Sequence, residues 1–154
     1  MLLLNICVIT SGNKVLQIRL AFLSDEKTES YTWVIGQLIE IIKSQNIQQP
    51  LSIVTDREIA LINSIDTFLP QSSHILCHWH ANINVLAKTK KFFPGPIKGD
   101  DSITCWHPKF KEFMVDWISL LNSSTLDKYQ KNLDHLRRYP RGAVDYIERA
   151  WLYL

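Results

Sequence analysis

The chain has 154 residues, 46% of them hydrophobic and 21% charged, with a formal net charge of +2. That is the length and composition of an ordinary folded domain; it excludes a disordered or collagenous chain, and the average charge by itself selects no partner. Its three cysteines are an odd count without framework spacing, which argues against a disulfide-stapled module and fits a reducing compartment.

The opening stretch MLLLNICVIT lacks a basic leader and is too short to cross a bilayer, so it reads as a core strand and no membrane partner is expected. Leu2 to Thr10 is apolar and partly β-branched, Ser11-Gly12-Asn13-Lys14 supplies turn chemistry, and Val15 to Leu23 alternates; together they predict a β-hairpin. After a polar, acidic link, Trp33, Val34, Gln37, Leu38, Ile41 and Ile42 recur at helical spacing and predict a helix from Tyr31 to Ser44. Leu51 to Asp56 predicts a buried strand, and Ile59, Ala60, Ile62, Asn63 and Ile65 open a second helix closed by Pro70. Ser73 to Cys77 predicts a short strand and His80 to Phe93 a third helix. Pro94-Gly95-Pro96 begins a loop running through Ser102. Pro108 to Leu121, Thr125 to Tyr139 and Ala143 to Leu154 read as three further helices, the middle one capped by Ser124 or Thr125 and ended by Pro140.

The order β-β-α-β-α-β-α, with an apolar strand ending on the carboxylate of Asp56, is that of an incomplete ribonuclease-H-like α/β fold. It predicts a core over residues 1–94 and a helical insertion region over residues 95–154. Open α/β sheets put their chemistry at the C-terminal ends of strands, so Asp56 is a candidate site residue. Position alone also allows a plainer role, the cap of the helix that follows.

The stretch VTDREIALINSIDTFLPQSSHILCHWHANINVLAKTKKFFP, from Val54 to Pro94, resembles the core of the Mutator-like element (MULE) transposase domain. The ordered features are an Asp, a helix carrying Ala-Leu, a Phe-x-Pro, and a Leu-x-Cys-x-x-His followed by Asn. AFLSDEKTESYTWVIGQL, with Glu26, Glu29, Tyr31 and Trp33, is similar to the family's acidic-then-aromatic stretch. FMVDWISLLNSSTLDKYQKNLDHLRRYP is similar to its helical insertion. The resemblance implies DDE-type chemistry, in which three carboxylates hold two Mg²⁺ or Mn²⁺ ions for phosphodiester exchange on DNA, in the nucleus. It implies that Asp56 is the second of the three, a metal ligand and catalytic residue. The first Asp would precede Leu3 and the third carboxylate would follow Leu154, so the resemblance implies a domain truncated at both ends and inactive in strand transfer on its own. Glu148 resembles a residue of the last insertion helix and takes no catalytic role. The alternative function is a non-catalytic DNA-binding or regulatory protein derived from such a transposase.

Other residues carry weaker expectations. Cys77 and His80, three apart at a strand-to-helix junction, form the family's Cys-x-x-His pair; they read first as a packed junction and second as half of a zinc site, with Cys105 and His107 a candidate second half. Lys88, Lys90 and Lys91, with Lys98 beyond, form a basic patch at a helix C-terminus, where the helix dipole also favours cations. Arg137, Arg138 and Arg141 cluster around Pro140. Both groups are candidate phosphate contacts, sequence-independent and sensitive to salt. The tryptophans and tyrosines on helical faces are expected in the core, and apolar insertion helices left exposed would drive self-association.

Overall fold

A computed structural model of the chain describes residues 1–98 and 104–152. The chain divides into two units, Met1–Cys77 and His78–Leu154, each with a hydrophobic core of its own. The break in secondary structure expected at Pro94 is therefore separate from the division in packing, which falls after Cys77 and assigns the third helix to the second unit.

In the first unit, strands β1 (Leu2–Ile9) and β2 (Val15–Leu23) pair antiparallel, with a register shift between Ile6 and Cys7. Asn13 takes φ 56° in the connecting turn, a conformation that Asn tolerates better than most residues. Helix α1 (Thr28–Ser44) follows, then β3 (Ser52–Thr55), α2 (Ile59–Phe68) and β4 (Ser73–Leu76). β3 and β4 pair parallel, which requires the crossover that α2 supplies. Leu23, Tyr31, Val34, Ile35, Ile39, Leu61, Ile65 and Leu69 form the buried core. Leu2, Leu4, Ile6 and Ala21 of the hairpin and Ile53 of β3 pack against it, so both strand pairs rest on one helical layer. The two strand pairs are separate two-stranded sheets.

The expected order of strands and helices is present through α3, and the fold is mixed α/β. The buried stripe of α1 differs from the expected one. Tyr31, Val34, Ile35 and Ile39 face the core, whereas Trp33 is 65% exposed and Ile41 39%. Apolar residues lie on more than one side of this helix, so spacing alone could not choose its inner face. Between α1 and α2, the fully buried Ser64 hydroxyl lies 3.1 Å from Thr32 Oγ1 and within hydrogen-bonding distance of the Thr28 and Ala60 carbonyls. A β-carbon at Gly36 would stand 3.4 Å from the Phe68 ring, an ordinary van der Waals contact.

In the second unit, α3 (His78–Thr89) runs into a 3-10 turn (Lys90–Phe92). A short antiparallel ladder of β5 (Ile97–Lys98) with β6 (Thr104–Cys105) interrupts the expected loop; the part of that loop at residues 99–102 lies outside the described residues. Helices α4 (Pro108–Leu121), α5 (Leu126–Leu136) and α6 (Arg141–Ile147) follow, and a π-helical turn (Glu148–Leu152) continues α6. Residues 153–154 of the expected last helix lie outside the description. Thr125 caps α5 by accepting from the Lys128 N–H, one of the two caps expected. Phe110, Phe113, Trp117, Leu120, Leu133 and Leu136 dominate the core with Ala143 and Ile147 of α6. Helices α4, α5 and α6 are packed among themselves, with Phe113 and Trp117 at 0% exposure. Of the aromatics expected in the core, Tyr31 and Trp117 are buried and Tyr129, Tyr146 and Trp151 pack against the second core, whereas Trp33 and Trp106 are exposed.

Candidate functional site

β3 ends at Thr55, and Asp56 follows immediately, so the carboxylate stands at the C-terminal end of a strand held by its parallel partner. The Thr55 hydroxyl donates to the Asp56 carbonyl at 2.7 Å and lies 2.7 Å from His74 Nε2, which ties β3 to β4 beside the site. The Cys77 N–H donates to the Thr55 carbonyl at 2.7 Å and extends the ladder by one bond.

The cap of α2 is Glu58, not Asp56. Glu58 Oε1 accepts from the Ala60 N–H at 3.2 Å, while Asp56 Oδ1 accepts from the Glu58 N–H at 3.3 Å and shapes the turn before the helix. The helix is thus capped without Asp56, which is half-buried at the strand end. Tyr31 of α1 is 3% exposed, and the charge of Asp56 reaches it. Burial first, and then the charges of Glu58, Glu26 and Asp56, push its phenol above the ordinary tyrosine value. Three carboxylates therefore bear on one buried hydroxyl. Sequence reasoning placed Tyr31 in the core and attached no carboxylates to it; its position in α1, opposite the β3 terminus, emerges only from the folded unit.

The donor set can be compared with a two-metal centre, which needs carboxylates converging on cations about 3.5–4 Å apart. Glu58 is committed to the helix cap and Glu26 is exposed. Among the described residues, no group of three His, Cys, Asp or Glu side chains is arranged to hold a metal ion. The described residues do not fit a two-metal centre.

Cys77 closes the first unit and His80 lies in the first turn of α3. His80 Nδ1 is buried without a hydrogen-bond partner, and its ring meets that of Trp79 edge-on at 4.8 Å. His107 Nδ1 accepts from the Lys109 N–H at 3.3 Å and caps α4, while the side chain of Cys105 lies outside the described residues.

The basic candidates divide by their partners. Lys88 is exposed near the end of α3; Lys90 Nζ lies 5.8 Å above the Trp106 ring and Lys91 Nζ 5.1 Å from the Phe92 ring. Arg137 is occupied within the chain, its Nε 2.8 Å from Glu148 Oε1 and its Nη1 3.4 Å from Asp134 Oδ1. Arg141 pairs with Asp145 at 3.8 Å. Arg138 is exposed and lines an open cleft of about 480 Å³ with Phe93, Pro94, Lys109, Glu112, Tyr139 and Pro140. The side chain of Lys98 lies outside the described residues.

No helix among the described residues is long and apolar enough to cross a membrane. No solved structure matches the chain. A curated relative, the PKS-NRPS hybrid synthetase cheA of Chaetomium globosum, is 28% identical over 132 residues, which cover 84% of this chain and 3% of that protein. The chain thus spans 3% of the length of that relative. The family model of the MULE transposase domain matches residues 1–84, covering the hairpin, both helices of the first unit, the β3 terminus with Asp56, and the Cys77 and His80 pair. More than half of the sequence falls within that match, and the chain belongs to the MULE transposase domain family.

Proposed function

We propose that the chain is a DNA-directed part of a Mutator-like transposase domain, built on a ribonuclease-H-like frame, and that acting alone it does not exchange phosphodiester bonds. The observation that carries this reading is Asp56 at the β3 terminus, free of the capping task that Glu58 performs. Transposases of this family are metal-dependent. Of the three carboxylates that such a DDE-type reaction uses, the sequence has Asp56 at a matching position. Glu148, the acidic residue nearest the expected third position, is paired with Arg137. A single carboxylate leaves a hard cation mostly in water, because Mg²⁺ gives up its hydration reluctantly and then only to several oxygen ligands.

Binding to DNA rests on the exposed Lys88, Lys90 and Lys91 and on Arg138 beside the cleft; Arg137 is discounted because two carboxylates hold it. Such contacts read phosphate and carry no sequence information. On this reading the chain meets DNA in the nucleus. The test is an assay of the purified chain with end-labelled DNA and Mg²⁺ or Mn²⁺. Binding that weakens steeply with added salt, without strand cleavage, is expected. Cleavage abolished by Asp56→Ala, or the absence of any salt-dependent binding, would overturn the reading.

A further inference from the structure

The cleft beside Arg138, within the second unit, joins two kinds of surface. Phe93 and Tyr139 line it with their ring centroids 6.2 Å apart, and Pro94 adds a third apolar wall. The Tyr139 hydroxyl is committed to Asp116, which leaves the ring as its contribution to the cleft. The charged lining is Lys109 and Arg138, both exposed, against the single carboxylate of Glu112. Arg137 and Arg141 are taken up by carboxylates, whereas neither Lys109 nor Arg138 forms an ion pair among the described residues. The alternation of ring and cation continues past the cleft. Phe93 meets Phe110 at 5.2 Å and Phe110 meets Trp106 at 5.4 Å, so Trp106, 42% exposed, stands one ring away from the cleft wall. Lys90 Nζ lies 5.8 Å from the centroid of that Trp106 ring.

We propose that this surface holds an unpaired DNA strand, with one base stacked in the cleft, another on Trp106, and the intervening phosphates on Arg138, Lys109 and Lys90. Charge complementarity selects a polyanion, since cations outnumber the one carboxylate in the cleft and a further cation stands over Trp106. The rings select a polyanion whose base faces are open. In a duplex those faces are stacked on their neighbours and only edges and phosphates are presented, so a duplex would engage the lysines and leave the rings unused. A basic groove interleaved with aromatic side chains is the surface on which single strands are held, because every base has a face to stack and the contact tolerates any sequence. Size agrees: a cleft of about 480 Å³ falls within the range of small-ligand sites, roughly 300–1,000 Å³, and so suits a single nucleotide unit. The inference rests on the DNA-directed reading and narrows it to strands that are not paired.

Fluorescence anisotropy of the full chain tests it with three labelled probes of equal length: an oligothymidylate strand, an abasic strand of the same charge, and a duplex. The oligothymidylate strand is expected to bind about tenfold or more tightly than the abasic strand at one salt concentration, the margin that stacked bases supply. Arg138→Ala should weaken oligothymidylate binding about fivefold or more with the far-ultraviolet circular dichroism intact. A second reading requires no variant: a strand carrying 5-iodouracil should cross-link on irradiation to Phe93, Tyr139 or Trp106, mapped by mass spectrometry. Equal affinity for the oligothymidylate and abasic strands, binding unchanged in Arg138→Ala, or cross-links confined to other residues would overturn the proposal, and salt-dependent binding of the duplex alongside any of these would leave the DNA-directed reading standing. Failure of all three probes to bind would overturn both.

Discussion

Asp56 and Glu58 stand two positions apart and do different work, which is why position alone could not assign a role to the first. Glu58 reaches the N–H of Ala60 and satisfies one of the donors that a helix N-terminus leaves open. Asp56 accepts from the Glu58 N–H and otherwise sits where the strand ends. Glu58→Ala is therefore expected to cost about 1 kcal/mol, the usual loss on deleting a cap. Asp56→Asn keeps an acceptor for the same N–H and is expected to change stability by less than about 0.5 kcal/mol. Urea unfolding of the two variants checks the contrast; equal losses would mean that Asp56 shares the cap. The candidate itself was legible in the sequence as an Asp closing an apolar, β-branched run. The division of labour with Glu58 was not, because either side chain can reach a free N–H in the first turn and only the backbone path decides which one does.

At the scale of elements, the second unit is fastened by polar bonds over an aromatic core. Trp117 Nε1 of α4 donates to Asn82 Oδ1 of α3 at 2.9 Å, and the Tyr139 hydroxyl donates to Asp116 Oδ2 of α4 at 2.6 Å, where His135 Nε2 also approaches to 3.1 Å. Burial, then the hydrogen bond to Asp116, then the charges of Asp116 and Glu112 hold the Tyr139 phenol well above its ordinary value. The folded unit thus keeps this proton longer than the unfolded chain does. The resulting stabilisation is complete below the ordinary tyrosine value near 10 and is lost as the pH rises beyond it. Urea midpoints are expected to fall between about pH 8 and about pH 11, with a smaller fall in Tyr139→Phe; identical falls in the two proteins would contradict this. The order of elements was readable because turn residues and Pro punctuate the chain. The inner face of α1 was not, since Trp33 and Ile41 are apolar yet exposed. The β5–β6 ladder was hidden too: two-residue strands beside Pro94-Gly95-Pro96 have no periodicity to read.

For the molecule as a whole, each of the two units has a hydrophobic core of its own, and the family match covers all of the first and the start of the second. Within the first unit, two separate two-stranded sheets share one helical layer, and the carboxylates gathered near Tyr31 are divided between capping and exposure. The central proposal is that this chain, acting alone, does not assemble a two-cation centre around Asp56. Calorimetric titration of the purified chain with Mn²⁺ tests it most directly. The account predicts binding no tighter than millimolar and indistinguishable in Asp56→Ala; two ions bound at micromolar affinity and lost in that variant would contradict it.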